Sequence, residues 1–273
     1  MSDMDHEYRT PSLDAIADMP HWPVGHVLLQ NRELFAPMGL RDPVTQRLGD
    51  GTFGSAFEVP LRGKSVLKLT RDPTEIQAAM LLLGRPSKRI VHIYGAWAVR
   101  GTFGPGLRGW YAMHREYLTP LGKRDTALVE AIFQVYGDTS LDLVIPRSTK
   151  QHAMLNKWRG WLRAEMMENT SVPVDEDGNV ISAMGSSKLV QRAIMLLTSI
   201  GQGVDEMHKA GVDWEDIHPG NIMRNADGKL VIADVGWGLM HEDFDREIPF
   251  LSPASLQGYL DAAEALDAAG ARR

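Results

Sequence analysis

Three residues, Asp216, Asn221 and Asp234, constrain this chain more than any others. Asp216 opens the segment Asp216-Ile217-His218-Pro219-Gly220-Asn221, and Asp234 opens Asp234-Val235-Gly236 directly after the apolar run from Lys229 to Ala233. A strand over that run would gather the three side chains around one strand-turn-strand. One aspartate then serves as a candidate base, and the asparagine and second aspartate as oxygen ligands for divalent cations. Taken singly, a loop aspartate is usually a turn former and an asparagine before Ile222 a cap. Together, with Gly220 and Gly236 permitting tight backbone, they form the set that metal-assisted phosphoryl transfer from a nucleotide requires. His218 has two open readings, donation to a transferring phosphoryl group or filling of a polar turn.

Two upstream features fit the same chemistry in the same chain order. Leu48-Gly49-Asp50-Gly51-Thr52-Phe53-Gly54-Ser55-Ala56-Phe57 links two strand-like runs. Gly49, Gly51 and Gly54 would let backbone amides approach phosphate oxygens, with Phe53 closing over them at the tip. A dinucleotide fingerprint would need a helix after the glycines, whereas Ala56-Phe57-Glu58-Val59 reads as a strand. Lys68 is the polar member of the apolar run Ser65 to Thr70 and must pair or reach a ligand, because an uncompensated buried ammonium is costly. Glu75, at the start of the following helix, is its expected partner. Asp72 with Glu75 also resembles a capping box, and the two roles are compatible.

Composition narrows the class. The 273 residues carry a net charge of −6 with 44% hydrophobic content, and no cysteine. The acidic balance argues against a nucleic-acid partner. Without cysteine there are no disulfides, thiolate chemistry or cysteine zinc site, which fits a reducing, cytoplasmic setting. His208 and His241 offer no ligand pattern with His218 for zinc, and the acidic cluster Asp175 to Asn179 lacks the spacing of a calcium loop. No apolar run is long enough for a bilayer, so a membrane is not expected as partner.

The chain divides by texture into a polar arm and helix over residues 1–43, a β-rich segment over 44–118 and a helical segment over 119–273. One helix is expected over Val24 to Phe35, with Leu28, Leu29 and Leu34 as apolar contacts. Strand-like runs follow at Val44 to Leu48, Ser55 to Leu61, Ser65 to Thr70, Ile90 to Val99 and Trp110 to Leu118, which read as a twisted antiparallel sheet. Helical patterns cover Asp72 to Leu83, Ala127 to Tyr136, Lys150 to Glu168 and Lys188 to Ala210, the last stopped by Gly211. A final helix from Pro253 to Ala269 starts after Ser252 as cap. Chemistry-bearing loops fall within 212–238.

At these residues the chain resembles the protein-kinase-like superfamily, including its aminoglycoside and choline phosphotransferase branch, over roughly Val44 to Leu239. The resemblance implies an α+β, bilobal fold, an antiparallel β-rich lobe over a shortened helical lobe, with ATP and Mg2+ between them. It makes Gly49-x-Gly51-x-x-Gly54 the phosphate-covering loop, Lys68 the phosphate-binding lysine, Glu75 its helix partner, and Glu116-Tyr117-Leu118 the hinge whose backbone meets adenine. Asp216 becomes the catalytic base, and Asn221 and Asp234 the metal ligands.

The departures are informative. Trp214-Glu215-Asp216 stands where His-Arg-Asp is usual, so control through a phosphorylated activation loop is not expected. No Ala-Pro-Glu element follows Gly236, and the helices of a peptide-docking platform are expected to be largely missing. His218-Pro219-Gly220-Asn221 is closer to the small-molecule branch. The hydroxyl acceptor is therefore a protein Ser/Thr side chain or a small molecule. A pseudokinase scaffold working through residues 1–43 and the insert at 119–187, the candidate surfaces for a protein partner, is the non-enzymatic alternative.

Overall fold

The computed structural model describes residues 21–85, 87–103, 109–123, 125–126, 187–214, 219–236, 238–240 and 247–270. Their strands are β1 (Arg47–Gly51), β2 (Gly54–Val59), β3 (Ser65–Thr70), β4 (Ile93–Val99), β5 (Tyr111–Glu116), β6 (Thr119–Pro120), β7 (Val212–Trp214), β8 (Ile222–Arg224), β9 (Leu230–Ile232), β10 (Gly238–Met240) and β11 (Phe250–Leu251). Their α-helices are α1 (Val24–Gln30), α2 (Arg32–Phe35), α3 (Pro73–Leu82), α4 (Ser187–Lys209) and α5 (Pro253–Gly270). The helices expected at 127–136 and 150–168 and the acidic turn at 175–179 lie outside the described residues, as does the arm before His21. The protein is thus of mixed α+β class. No helix among the described residues is long and apolar enough to cross a membrane.

Local chemistry explains where the elements depart from the sequence pattern. The helix expected over Val24 to Phe35 is two helices, because Asn31 interrupts it. Its side-chain amide donates to the carbonyl of Val27 at 3.0 Å and its backbone leaves helical geometry, at φ −111° and ψ 25°. Leu28 and Leu34 are buried as expected, but Leu29 is 73% exposed. No strand forms at Val44. The Asp42 carboxylate accepts the Thr45 hydroxyl at 2.8 Å and the Val44 amide at 3.1 Å, folding a turn that leaves Val44 exposed. These bonds, that of the Thr45 hydroxyl foremost, hold the Asp42 carboxyl below the usual carboxylate range.

The larger sheet has six strands in the order β1-β2-β3-β5-β4-β11. β1 with β2 and β2 with β3 pair antiparallel, whereas β11, which the sequence pattern did not suggest, pairs parallel with β4. The sheet is therefore not antiparallel throughout. Chain-distant Pro249 and Phe250 reach it through the bond from the Ala98 amide to the Pro249 carbonyl, at 2.9 Å. Along β2 burial alternates, with Ser55, Phe57 and Val59 inward, while in β3 only Lys68 escapes full burial.

Contacts divide the chain into two compact units. The first takes in Met1–Pro73, Ala96–Met113 and Ile248–Arg273. Its core packs Val27, Leu34, Phe35 and Met38 with Phe57, Leu67, Leu69, Trp97, Trp110 and Leu256. Ser252 caps α5 as expected, accepting the Ser255 amide at 3.2 Å. The second unit takes in Thr74–Gly95 and His114–Glu247. There α4 buries Leu196, Ile200, Val204 and Met207 along one face, and Gly211, at φ +94°, ends it in the left-handed conformation.

The three loop glycines are not equivalent. A Cβ on Gly54 would stand 2.0 Å from the Leu69 carbonyl oxygen, whereas Cβ atoms on Gly49 or Gly51 would meet nothing within 4 Å. Gly54→Ala should therefore lower unfolding stability by about 3 kcal/mol, the upper part of the range for forced overpacking. Gly51→Ala should change it by less than about 0.5 kcal/mol. Urea denaturation of the two variants checks the contrast, and equal midpoints would contradict it.

Candidate functional site

The site begins where α4 hands over to β7. Asp216 and His218 lie outside the described residues, and the chain resumes at Pro219 in a 3₁₀ turn, Pro219–Asn221, that leads into β8. β8 pairs antiparallel with β9 in the register Ile222↔Ile232, Met223↔Val231, Arg224↔Leu230. One step beyond the ladder, the Asn221 carbonyl accepts the Ala233 amide at 2.7 Å. Asn221 and Asp234 therefore leave the hairpin at the same end, Asn221 buried and Asp234 half-buried. Asp234 Oδ1 accepts the Gly236 amide at 3.1 Å and turns the chain. β10 then runs antiparallel to β7 with Gly238 opposite Trp214.

Further bonds secure β9 and the peptide before Asp234. The Ile232 amide donates to the Arg89 carbonyl at 2.8 Å, and its carbonyl accepts the Val91 amide at 2.9 Å. α4 closes in at Gly203, where an added Cβ would lie 2.8 Å from Ile232 Cδ1 and 3.1 Å from the Arg89 carbonyl oxygen. Arg115, buried in β5, donates from Nη1 to the carbonyl of Ala233. Reasoning from sequence missed Arg115. Its signal was a charged residue inside the apolar run from Trp110 to Leu118, the same signal that singled out Lys68.

The residues expected to form a hinge already have partners. The Glu116 amide donates to the His92 carbonyl at 2.9 Å, and Glu116 Oε1 accepts the His92 amide at 2.8 Å. Burial of the side chain raises the Glu116 pKa, against the opposing pull of the His92 bond and the Arg115 charge. Leu118 is buried immediately before β6, which pairs with β8 opposite Arg224 and Met223. Residues 116–118 thus feed directly into the small sheet β6-β8-β9, whose end is flanked by Asn221 and Asp234.

In the first unit, Gly49 and Gly51 lie on β1, opposite Ala56 and Gly54. Phe53 sits half-buried in the intervening turn and Lys68 half-buried on β3 opposite Ala56. Glu75 belongs to the second unit, 2% exposed in the first turn of α3. Asn221 and Asp234 offer two oxygen donors, and no group of three or more His, Cys, Asp or Glu among the described residues could hold a metal. A two-donor set suits a cation that draws its other ligands from water and phosphate, which is how Mg2+ is commonly held. A cation held by Asn221 and Asp234 would take its remaining ligands from water or a bound ligand.

Two outcomes are expected here. Arg115→Met removes a charged donor and leaves the buried Ala233 carbonyl short of it, so stability should fall by about 2 kcal/mol in urea denaturation. Because the Glu116 pKa is raised on folding, the native state holds its proton more tightly. The carboxyl then disfavours folding increasingly as pH climbs from the ordinary carboxylate value through the raised one. Glu116→Gln keeps an acceptor for His92 and should make stability flatter as pH rises above the ordinary carboxylate value, about pH 4. An unchanged slope would refute that account.

No protein-family model matches the chain, and no curated protein does. Among solved structures, the chain is similar to one titled as the CAK complex from Chaetomium thermophilum bound to ATP-gamma-S. The TM-score is 0.36 at 16% identity, covering 74% of this chain and 48% of that one. The chain thus spans about half the length of the structure it matches.

Proposed function

We propose that this protein is an ATP-dependent phosphotransferase of bilobal, protein-kinase-like type that moves the γ-phosphate of ATP to a hydroxyl. The observation that carries the reading is the bond between the Asn221 carbonyl and the Ala233 amide, 2.7 Å, which holds the two candidate metal ligands at one end of a hairpin. The pairing of β10 with β7 adds to it, since Trp214 and Pro219 flank the four residues that include Asp216.

Each residue has an assigned role. Asn221 and Asp234 would hold Mg2+, which when bound supplies charge neutralisation at the phosphates. Arg115 fixes the peptide preceding Asp234 through the Ala233 carbonyl and so keeps that carboxylate in place. Asp216 orients the acceptor hydroxyl and takes its proton as the oxygen attacks phosphorus and the bond to the leaving ADP oxygen breaks. Lys68 and the Gly49–Gly54 loop are assigned to the phosphates, Glu75 to support of Lys68, and the Glu116–Leu118 backbone to the adenine. His218 is assigned to the phosphoryl oxygens. A cytoplasmic setting belongs to the same reading.

A protein Ser/Thr side chain is the favoured acceptor, on the Phe53-bearing glycine loop and the Asp-x-Gly triplet. The His218-Pro219-Gly220-Asn221 segment favours a small-molecule acceptor as the second reading. Purified protein with γ-labelled and, separately, α-labelled ATP and Mg2+ distinguishes them. Asp234-dependent γ-label in protein supports the first acceptor, and γ-label in a small-molecule fraction the second. α-Label in product would replace phosphoryl by nucleotidyl transfer, and tight ATP binding without transfer would favour the scaffold alternative. Asp234→Ala should abolish transfer, and Asp216→Asn should reduce it about 10³-fold while ATP binding stays within about twofold. Full transfer in either variant would refute the assignment.

A further inference from the structure

Arg71 follows β3 directly and gathers more partners than a residue at a strand end requires. Its backbone amide donates to the Phe53 carbonyl at 2.8 Å, continuing the β2–β3 ladder past the Gly54↔Thr70 pair into the turn. Its guanidinium Nη2 donates to the Thr52 carbonyl at 2.9 Å, and Nη1 meets His21 Nδ1 at 2.7 Å. Since a guanidinium only donates, Nδ1 is the acceptor there and carries no proton. The same group lies over the Trp110 ring, 5.7 Å from its centroid. Trp110 Nε1 in turn donates to the Trp22 carbonyl at 2.8 Å, and Trp22 stacks on His26 with ring centroids 4.4 Å apart. Arg71 itself is 8% exposed.

These contacts place both turn carbonyls, Thr52 and Phe53, on one residue that also holds the segment at His21 directly and at Trp22 through Trp110. Gly49 and Gly51 meet no neighbour on the Cβ side, so side-chain packing there does not fix the turn. The fork of the guanidinium can serve the turn and the imidazole together, which the single ammonium of lysine cannot do in the same geometry. Two segments sharing one clamp are energetically linked, and what steadies one steadies the other.

We propose that Arg71 is a positioning residue that holds the Thr52–Phe53 turn in place and makes its order depend on seating of the His21–Trp22 segment. Its consequence for nucleotide binding rests on the phosphotransferase reading above. The seated segment then sets how tightly the loop receives phosphate, and loss of its contact loosens the loop without touching the residues assigned to chemistry.

The test uses the full chain, comparing wild type with Arg71→Lys and His21→Ala. Amide hydrogen exchange is followed over residues 49–54 and 21–27 without nucleotide, and KM for ATP and kcat are read from γ-label transfer. Both variants should exchange about tenfold faster over 49–54, the scale of one lost charged hydrogen bond. KM for ATP should rise about tenfold with kcat within about twofold. His21→Ala perturbs only the far end of the clamp, so the test does not depend on Arg71→Lys folding. Unchanged exchange over 49–54 in His21→Ala, or wild-type behaviour in Arg71→Lys, would overturn the clamp. Faster exchange with KM unmoved would overturn the positioning role. Faster exchange in a protein whose wild type transfers no label would sustain the clamp and refute the phosphotransferase reading instead.

Discussion

The amide of Ala233 and the carbonyl of Asn221, 2.7 Å apart, hold Asn221 and Asp234, the metal ligands of the proposed reading, at one end of a hairpin. The bond is possible because β8 and β9 pair in one register, and that register is protected from both sides. Ile222 and Ile232 are buried opposite each other, and a slip of one residue would break up that pair. On the other edge of β9, Arg89 and Val91 exchange bonds with Ile232, and α4 leaves no room for a side chain at Gly203. A short hairpin of three-residue strands thereby gains the support of a helix and a second backbone segment.

Arg115 spends a guanidinium donor on a neutral carbonyl, an arrangement that orders the peptide before Asp234 while bringing a cation into buried surroundings. Glu116 beside it in sequence keeps its proton more readily than an exposed carboxylate, for the opposite reason that burial disfavours its charged form. The same strand thus holds a permanent cation and a softened anion next to the small sheet.

The glycine loop shows a division of labour that a motif alone hides. Gly54 is demanded by packing, because the Leu69 carbonyl occupies the place of a side chain. Gly49 and Gly51 are not demanded by packing within the described structure, which leaves their value to backbone flexibility or to an approaching ligand. Three glycines of one pattern therefore answer to different constraints, and only the tertiary structure separates them.

Much of this protein was legible in its sequence where the physics is local. Alternating burial along β2, the near-continuous apolar run of β3, the helical spacing of Leu196, Ile200, Val204 and Met207, and the caps at Ser252 and Gly211 all follow from period and from backbone preference. The two turns that defeated the pattern, at Asp42 and Asn31, did so through side-chain bonds to nearby backbone that compete with the regular ladder. Sequence order and residue type also singled out the side chains that the proposed phosphoryl transfer would use. Tertiary structure alone decided that β11 joins β4, that Arg115 serves Ala233, and that Arg71 reaches both Thr52 and His21. Each joins residues far apart in the chain, and no local preference specifies which distant carbonyl or strand edge a donor will find until the core has packed around it.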